Sequence, residues 1–332
     1  MLKRFLGKLL AALVLLPLCA CGAQDEMAGS PSAGSDKDAP LSIVCTAFPL
    51  YDWTRSLLGT RADGVELTYL LESGMDMHSY QPSADDMVKI ASCDLFICVG
   101  GPSDTWVDDA LRGAVNEDMA VLKLMEKMDA LGLALPVAPV KGMQELHEHD
   151  AHMGEYDEHI WMSPVCAAEL VSAIGDALCA ADAENAALYR ENCGAYIQKL
   201  TALDEAFRAA AAEGTKEAVL VADRFPFRYL MSEYDIDCYA AFDACSAETE
   251  ASFETIVFLA RTVDELGLSV LLTSESTDGA VARTIAGSTA SKDQQILALD
   301  SMQSVTRARV DEGASYLAIM EENLEVMRLA LA

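Results

Sequence analysis

Five histidines occur in this 332-residue chain, and their placement is uneven. His147, His149, His152 and His159 all fall within residues 145–164 (ELHEHDAHMGEYDEHIWMSP), and His78 lies in a second polar loop, GMDMHSYQPSAD. No histidine follows His159. Neutral imidazole is the commonest protein ligand for borderline divalent metals such as zinc, and it titrates close to neutrality. Glu145, Glu148, Asp150, Glu155, Asp157 and Glu158 interleave with the histidines, so the same stretch offers carboxylates too. The chemistry this supports is collection of a cation. A merely solvated loop carries similar residues, but it gives no reason for the whole histidine complement to gather in two loops.

Other chemistries find less support. His147-Glu-His149-Asp-Ala-His152 approaches the HxHxDH pattern of metallo-hydrolases, but its aspartate stands one position early. HExxH, a Gly-x-Ser-x-Gly elbow and a phosphate-cradling glycine loop are absent. An exported metal-dependent hydrolase is therefore the alternative from a different class, and it would need an open coordination position and a placed base. With 53 acidic against 23 basic residues the formal net charge is −30, which repels nucleic acid and gives no attraction to anionic lipid.

The elements that must position these side chains alternate throughout. LSIVCTAF (41–48), GVELTYLL (64–71), DLFICVGG (94–101) and AVLKLM (120–125) read as strands, separated by helical stretches over 51–58, from a Ser83 cap with Asp85 and Asp86 in its first turn, and over 104–115. Ser163-Pro164 opens a further helix. Residues 182–212 then carry Leu188, Tyr189, Tyr196, Leu200, Leu203 and Phe207 at helical spacing. A helix of that length spans ~45 Å, enough to connect two lobes. After Gly214 the alternation restarts with EAVLVAD (217–223), DCYAAF (237–242), LSVLLTS (268–274) and QILALD (295–300). The expected fold is α/β with two lobes, each a mostly parallel sheet flanked by helices, joined by one long linking helix. Ligands in such sheets bind beyond the carboxyl ends of the strands. His78 follows the second strand, Asp223 ends the first strand of the second half, Glu275 follows LSVLLTS, and His159 precedes a helix start. If the lobes face each other, these four converge on a metal site in the cleft, although a lone acid at a strand end is more often a helix cap than a ligand.

The first twenty residues read as an export signal, with Lys3, Arg4 and Lys8 ahead of the apolar run 9–18. Leu18-Cys19-Ala20-Cys21-Gly22 has the form of a lipoprotein cleavage site, so Cys21 is expected to carry lipid. Residues 21–40 have the small, polar composition of a flexible tether. The expected organisation is a signal at 1–20, the tether at 21–40, an N-terminal lobe at 41–181 with the histidine-rich loop at 145–158, a linking helix at 182–213 and a C-terminal lobe at 214–332. The remaining cysteines are scattered, and Cys238 and Cys245 are the closest plausible pair for a bridge in the C-terminal half.

The spaced combination of GMDMHSYQPSADDM (Gly-x-x-x-His-x-Tyr-x-Pro-Ser), the histidine-rich acidic loop, DEHIWMSP (Asp-x-His-x-Trp-x-Ser/Asp-Pro) and the long helix resembles the lipoprotein solute-binding components of zinc and manganese ABC transporters. The likeness runs over nearly all of the chain beyond the leader. It implies that His78 and His159 are the metal ligands of the N-terminal lobe, with His147, His149 and His152 an accessory metal-collecting or sensing segment. It implies a monomeric, non-enzymatic protein held by lipid on Cys21 at the extracytoplasmic face of the cell membrane. That protein would deliver Zn2+ (alternatively Mn2+) to an ABC permease with its ATPase; a surface adhesin is a third role ascribed to some relatives. The C-terminal lobe departs from the pattern. Zinc-type members carry His-x-Ala-Phe/Tyr-x-Tyr and manganese-type members glutamate in place of that histidine, whereas this chain has Arg224-Phe225-Pro226-Phe227-Arg228-Tyr229. Arginine offers no lone pair, so it cannot ligate. The C-terminal ligand is left open between Asp223 and a loop histidine, with Glu275 or Asp278 in the last ligand-bearing loop, and Arg224 is expected to pair with one of these acids.

Overall fold

The computed structural model describes residues 40–138, 140–142, 156–243 and 251–332. His147, His149, His152, Cys21 and Cys245 lie outside the described residues. The N-terminal half runs β1 (Leu41–Cys45), α1 (Phe48–Leu58), β2 (Val65–Tyr69), α2 (Ala84–Ser92), β3 (Leu95–Cys98), α3 (Val107–Leu111), β4 (Ala120–Lys123), α4 (Leu124–Ala130) and α5 (Pro164–Ala181). The connecting helix α6 (Ala186–Glu213) follows. The second half comprises β5 (Ala218–Phe225), α7 (Arg228–Glu233), β6 (Asp237–Asp243), α8 (Phe253–Leu266), β7 (Val270–Ser274), α9 (Ala280–Ser288), β8 (Gln295–Leu299), α10 (Arg307–Asp311) and α11 (Tyr316–Ala330).

Each half builds one parallel four-stranded sheet, in the orders β2-β1-β3-β4 and β6-β5-β7-β8. Relative to chain order the two are the same, second-first-third-fourth, so each sheet reverses winding beside its first strand. The crevice beyond the strands' carboxyl ends at that reversal is where open α/β sheets take ligands. β1, β3, β5 and β7 are the interior strands, and they read as nearly continuous apolar runs because helices cover both faces.

Local signals account for the helix starts. Ser83 caps α2 in a capping box with Asp86, and the Ser163 side chain accepts from Cys166 N with Pro164 in the first turn of α5. Among the boundaries that differ from the sequence pattern, two have a clear local cause. The apolar run at 120–125 stops being a strand at Lys123 and turns into α4, because a short apolar run fits either a strand or a buried helical turn. β5 continues two residues past Asp223 through a register shift between Val221 and Arg224, so Asp223 lies within the strand.

The 28 residues of α6 extend about 42 Å. Ala186, Tyr189, Cys193, Tyr196, Leu200, Leu203, Phe207 and Ala210 form its buried stripe. One continuous core runs from Ile43 and Phe96 in the first sheet through Tyr189 and Phe207 to Val221 and Leu324 in the second half. Tyr316 is wholly buried at the junction: its ring packs edge-on against Trp53 at 4.9 Å, its hydroxyl donates to Trp161 O (2.7 Å), and its amide donates to Asp52 Oδ2 (2.9 Å). Cys238 carries a half-buried free thiol, and its candidate partner Cys245 lies outside the described residues.

Candidate metal site

His78 sits on a single 3-10 turn (Met77–Ser79) after β2, and Asp76 caps that turn by accepting His78 N on Oδ1 at 3.0 Å. His159 stands just before a second such turn (Ile160–Met162) that leads into α5, and Asp157 Oδ1 accepts its backbone N at 2.9 Å. The same two-residue spacing thus gives the same aspartate-to-amide hydrogen bond twice. The imidazole centroids lie 5.4 Å apart with their planes at 59°, and the His159 ring meets Trp161 edge-on at 5.4 Å. His159 is 1% exposed, and the His78 side chain 13%.

Hydrogen bonding decides which ring nitrogen faces a ligand. Asp157 Oδ1 lies 2.8 Å from His159 Nδ1, and an ionised carboxylate only accepts, so Nδ1 carries the proton. Ser103 Oγ spends its proton on Glu158 Oε1 (2.6 Å), so the 2.7 Å contact to His78 Nδ1 is donated by the imidazole. With Nδ1 as the donor, the neutral form of each ring turns its lone pair outward on Nε2. Both Nε2 atoms are buried without a hydrogen-bond partner. Two orphaned acceptors beside each other are costly in a protein interior unless something occupies the space between them. Nδ1 bonded to an acceptor with Nε2 free is the arrangement of metal-ligating histidine.

The electrostatics agree. Burial raises the Asp157 carboxyl, but His159 and Arg228 outweigh it and leave it below the usual carboxylate range. Glu158 is likewise pulled down against its burial by His78, His159 and Ser103. Burial lowers His159, yet the charges of Asp157, Glu158 and Asp243 more than offset it and hold the ring above its ordinary value. The charges of Asp157, Glu158 and Asp243 favour a cation at His159.

The other expected residues lie at the carboxyl ends of the second sheet. Asp223 Oδ2 accepts Ser274 N (3.1 Å) and Ser274 Oγ (2.6 Å), and its Oδ1 accepts Arg224 N (2.8 Å). Glu275 Oε2 accepts Ser301 N and its Oε1 accepts Ser301 Oγ, with burial and the Asp300 charge raising its carboxyl. Ser301 O in turn accepts Trp161 Nε1 at 2.9 Å, which links Glu275 to the ring beside His159. Asp278 caps Ala280 N and faces Arg283. Among the described residues, no set of three histidine, cysteine, aspartate or glutamate side chains is gathered as a ready coordination sphere. The structure brings His78 and His159 together, while Asp223 and Glu275 are turned into serine bonds within their own half. Arg224 pairs with neither Glu275 nor Asp278: its Nη1 reaches Asp76 Oδ2 at 2.8 Å.

Sequence reasoning missed the groups that orient the imidazoles. Asp76, Asp157, Glu158 and Ser103 all bond the two histidines or each other, and Asp76-x-His78 and Asp157-x-His159 are legible as a repeated spacing. Gly101 belongs with them, because a Cβ there would lie 2.5 Å from Glu158 Oε2 and block its bond to Ser103 N.

The described chain is thus two α/β halves about a connecting helix, with a pair of buried imidazoles whose Nε2 atoms have no hydrogen-bond partner. The chain belongs to the ZnuA family, described as zinc-uptake complex component A, periplasmic, which it matches over residues 43–330. It is 29% identical over 320 residues to the zinc-binding lipoprotein AdcA of Streptococcus pneumoniae, covering 96% of this chain but 60% of that relative. It is 27% identical to the high-affinity zinc uptake system protein ZnuA of Bacillus subtilis, covering 99% of that protein. The Zn(II)-bound ZnuA-like domain of S. pneumoniae AdcA superposes with a TM-score of 0.71 at 26% identity, covering 88% of this chain and 99% of that one. The chain thus spans well under two thirds of the AdcA proteins it resembles.

Proposed function

We propose that this protein captures Zn2+ between His78 and His159 and hands it to an ABC permease driven by its ATPase. The observation that carries this reading is the pair of buried Nε2 atoms with no partner, on rings 5.4 Å apart whose Nδ1 protons are already committed. Remaining coordination positions would come from Asp223 and Glu275, which retain lone pairs beside their serine bonds, or from a histidine of the 145–158 loop. His147, His149 and His152 are read as an accessory collecting segment. Lipid on Cys21 would hold the protein at the outer face of the cell membrane, in keeping with relatives named as lipoproteins. Imidazole donors favour a borderline ion, whereas a purely carboxylate set would favour manganese. The work is binding and release, with no chemical turnover.

Elemental analysis of the purified protein, followed by calorimetric competition between zinc and manganese, tests the cargo. His78→Ala and His159→Ala are each expected to abolish high-affinity binding. Normal binding by both variants would overturn the site, and a preference for manganese would overturn the choice of ion.

A further inference from the structure

The second half of the chain meets the two histidine turns through a pair of arginines. Arg224 ends its side chain on Asp76 Oδ2, while Oδ1 of the same carboxylate holds His78 N. Arg228 Nε bonds Asp157 Oδ2 at 3.2 Å, while Oδ1 of that carboxylate holds both His159 N and Nδ1. Both links therefore run arginine to aspartate to histidine, with the aspartate two residues before its histidine in each case. The arginines are four residues apart on the connection Arg224-Phe225-Pro226-Phe227-Arg228. Phe225 and Phe227 are 1% and 0% exposed, with ring centroids 6.3 Å apart, and Pro226 fixes its own φ, so the connection is rigid. Arg228 also donates Nη2 to Ala138 O at 2.5 Å, which fixes the guanidinium in a second direction.

We infer that Arg224 and Arg228 are positioning residues for metal capture: this chain uses its second lobe to clamp both histidine turns through their aspartates, so that one rigid segment sets the separation of the two imidazoles. The inference rests on His78 and His159 being the ligands, as proposed above. It gives a role to a position where arginine rules out ligation. Orientation through a bonded carboxylate is a known determinant of metal affinity.

The charge on the arginines makes the test sharp in sign. By Coulomb's law alone, deleting a guanidinium near a cation site tightens binding; loss of positioning weakens it. The assay is zinc affinity by competition with a chromophoric chelator on the full chain, with metal-free melting to verify folding. Arg228→Ala is expected to weaken zinc roughly 10–100-fold. Arg224→Ala should weaken it less, since Asp76 is 27% exposed where Asp157 is 3% exposed, and water can replace the lost partner. Arg228→Lys, which keeps charge and one donor, should recover part of the loss while folding like the parent. Lys141→Ala, which breaks an ion pair with Asp237 that touches neither histidine, should leave affinity unchanged. Unchanged or tighter binding by both alanine variants, with His78→Ala and His159→Ala still abolishing it, overturns the clamp and leaves the site standing. Normal binding by the histidine variants overturns the site itself.

Discussion

Replacing Asp157 by Asn isolates what the carboxylate does for His159. The parent Oδ1 accepts from His159 N and Nδ1, and Oδ2 accepts from Arg228 Nε. Asparagine keeps one acceptor and converts the other into a donor, in a residue only 4% exposed. With its oxygen toward His159, the new NH2 faces the Arg228 donor and leaves a buried guanidinium bond unmade. With its oxygen toward Arg228, the NH2 faces Nδ1, drives the proton to Nε2, and removes the lone pair a metal would use. A hydrogen bond to a charged group contributes roughly 1.5–3 kcal/mol, and at least one such bond is lost in either orientation. At about 1.4 kcal/mol per decade this corresponds to about 10–100-fold in zinc affinity, the range seen for carboxylates behind metal-ligating histidines. Chelator competition on Asp157→Asn measures it directly. Affinity within about twofold of the parent would refute the tautomer argument.

Three further outcomes follow from the same geometry. Deleting residues 145–156 should lower the number of zinc ions bound while sparing one tight site; calorimetry that finds no tight site would show that the loop supplies a primary ligand. Gly101→Ala places a Cβ 2.5 Å from Glu158 Cβ, and relief of that clash should cost about 1–3 kcal/mol in urea unfolding and weaken zinc through His78. Asp104, 8% exposed, has its carboxyl raised to about 6, chiefly by burial. An acid raised in the folded state contributes stability that is present at low pH and lost as pH rises, here between its ordinary 3.8 and about 6. Asp104→Asn, which keeps an acceptor for Gly100 N, should therefore gain up to roughly 3 kcal/mol at about pH 7.5 and little at about pH 4. An equal gain at both pH values in urea titrations would contradict this.

The architecture was legible because its signals are local. Alternating apolar runs and helical stripes mark the strands and α6, and Ser83 and Ser163-Pro164 mark helix starts that the backbone adopts. His78 and His159 were legible by residue type and loop context. Their orienting groups were less so, because Ser103 and Glu158 meet His78 only after β3 and the chain before α5 are folded side by side. Arg224 is the clearest case. Against the pattern of the family it resembles, Arg224 stands where a ligand is usual, but its partner Asp76 lies 148 residues earlier, and only the packing of two sheets brings them to 2.8 Å. Glu275 and Asp223 were legible as strand-end acids, yet their serine partners belong to neighbouring strands and loops that spacing along one segment does not reveal.

The way an ion gets in and out follows from how the halves are joined. A hinge opening would separate Tyr316 from Trp53, Trp161 and Asp52, Tyr69 Oη from Val305 O, and both arginines from their aspartates. Those contacts are part of one continuous core, and exposing it costs roughly 25 cal/mol per Å² of apolar surface before any buried hydrogen bond is counted. Local motion is far less costly, and the two histidines differ in what it requires. His159 is 1% exposed and held by Asp157, itself 4% exposed, which Arg228 bonds in turn. His78 retains 13% side-chain exposure on one short turn, beside Met75 at 46% and Asp76, whose arginine partner is itself 25% exposed. On the proposed assignment of His78 and His159 as ligands, an incoming ion would meet His78 first, and His159 would be the fixed post against which it is held.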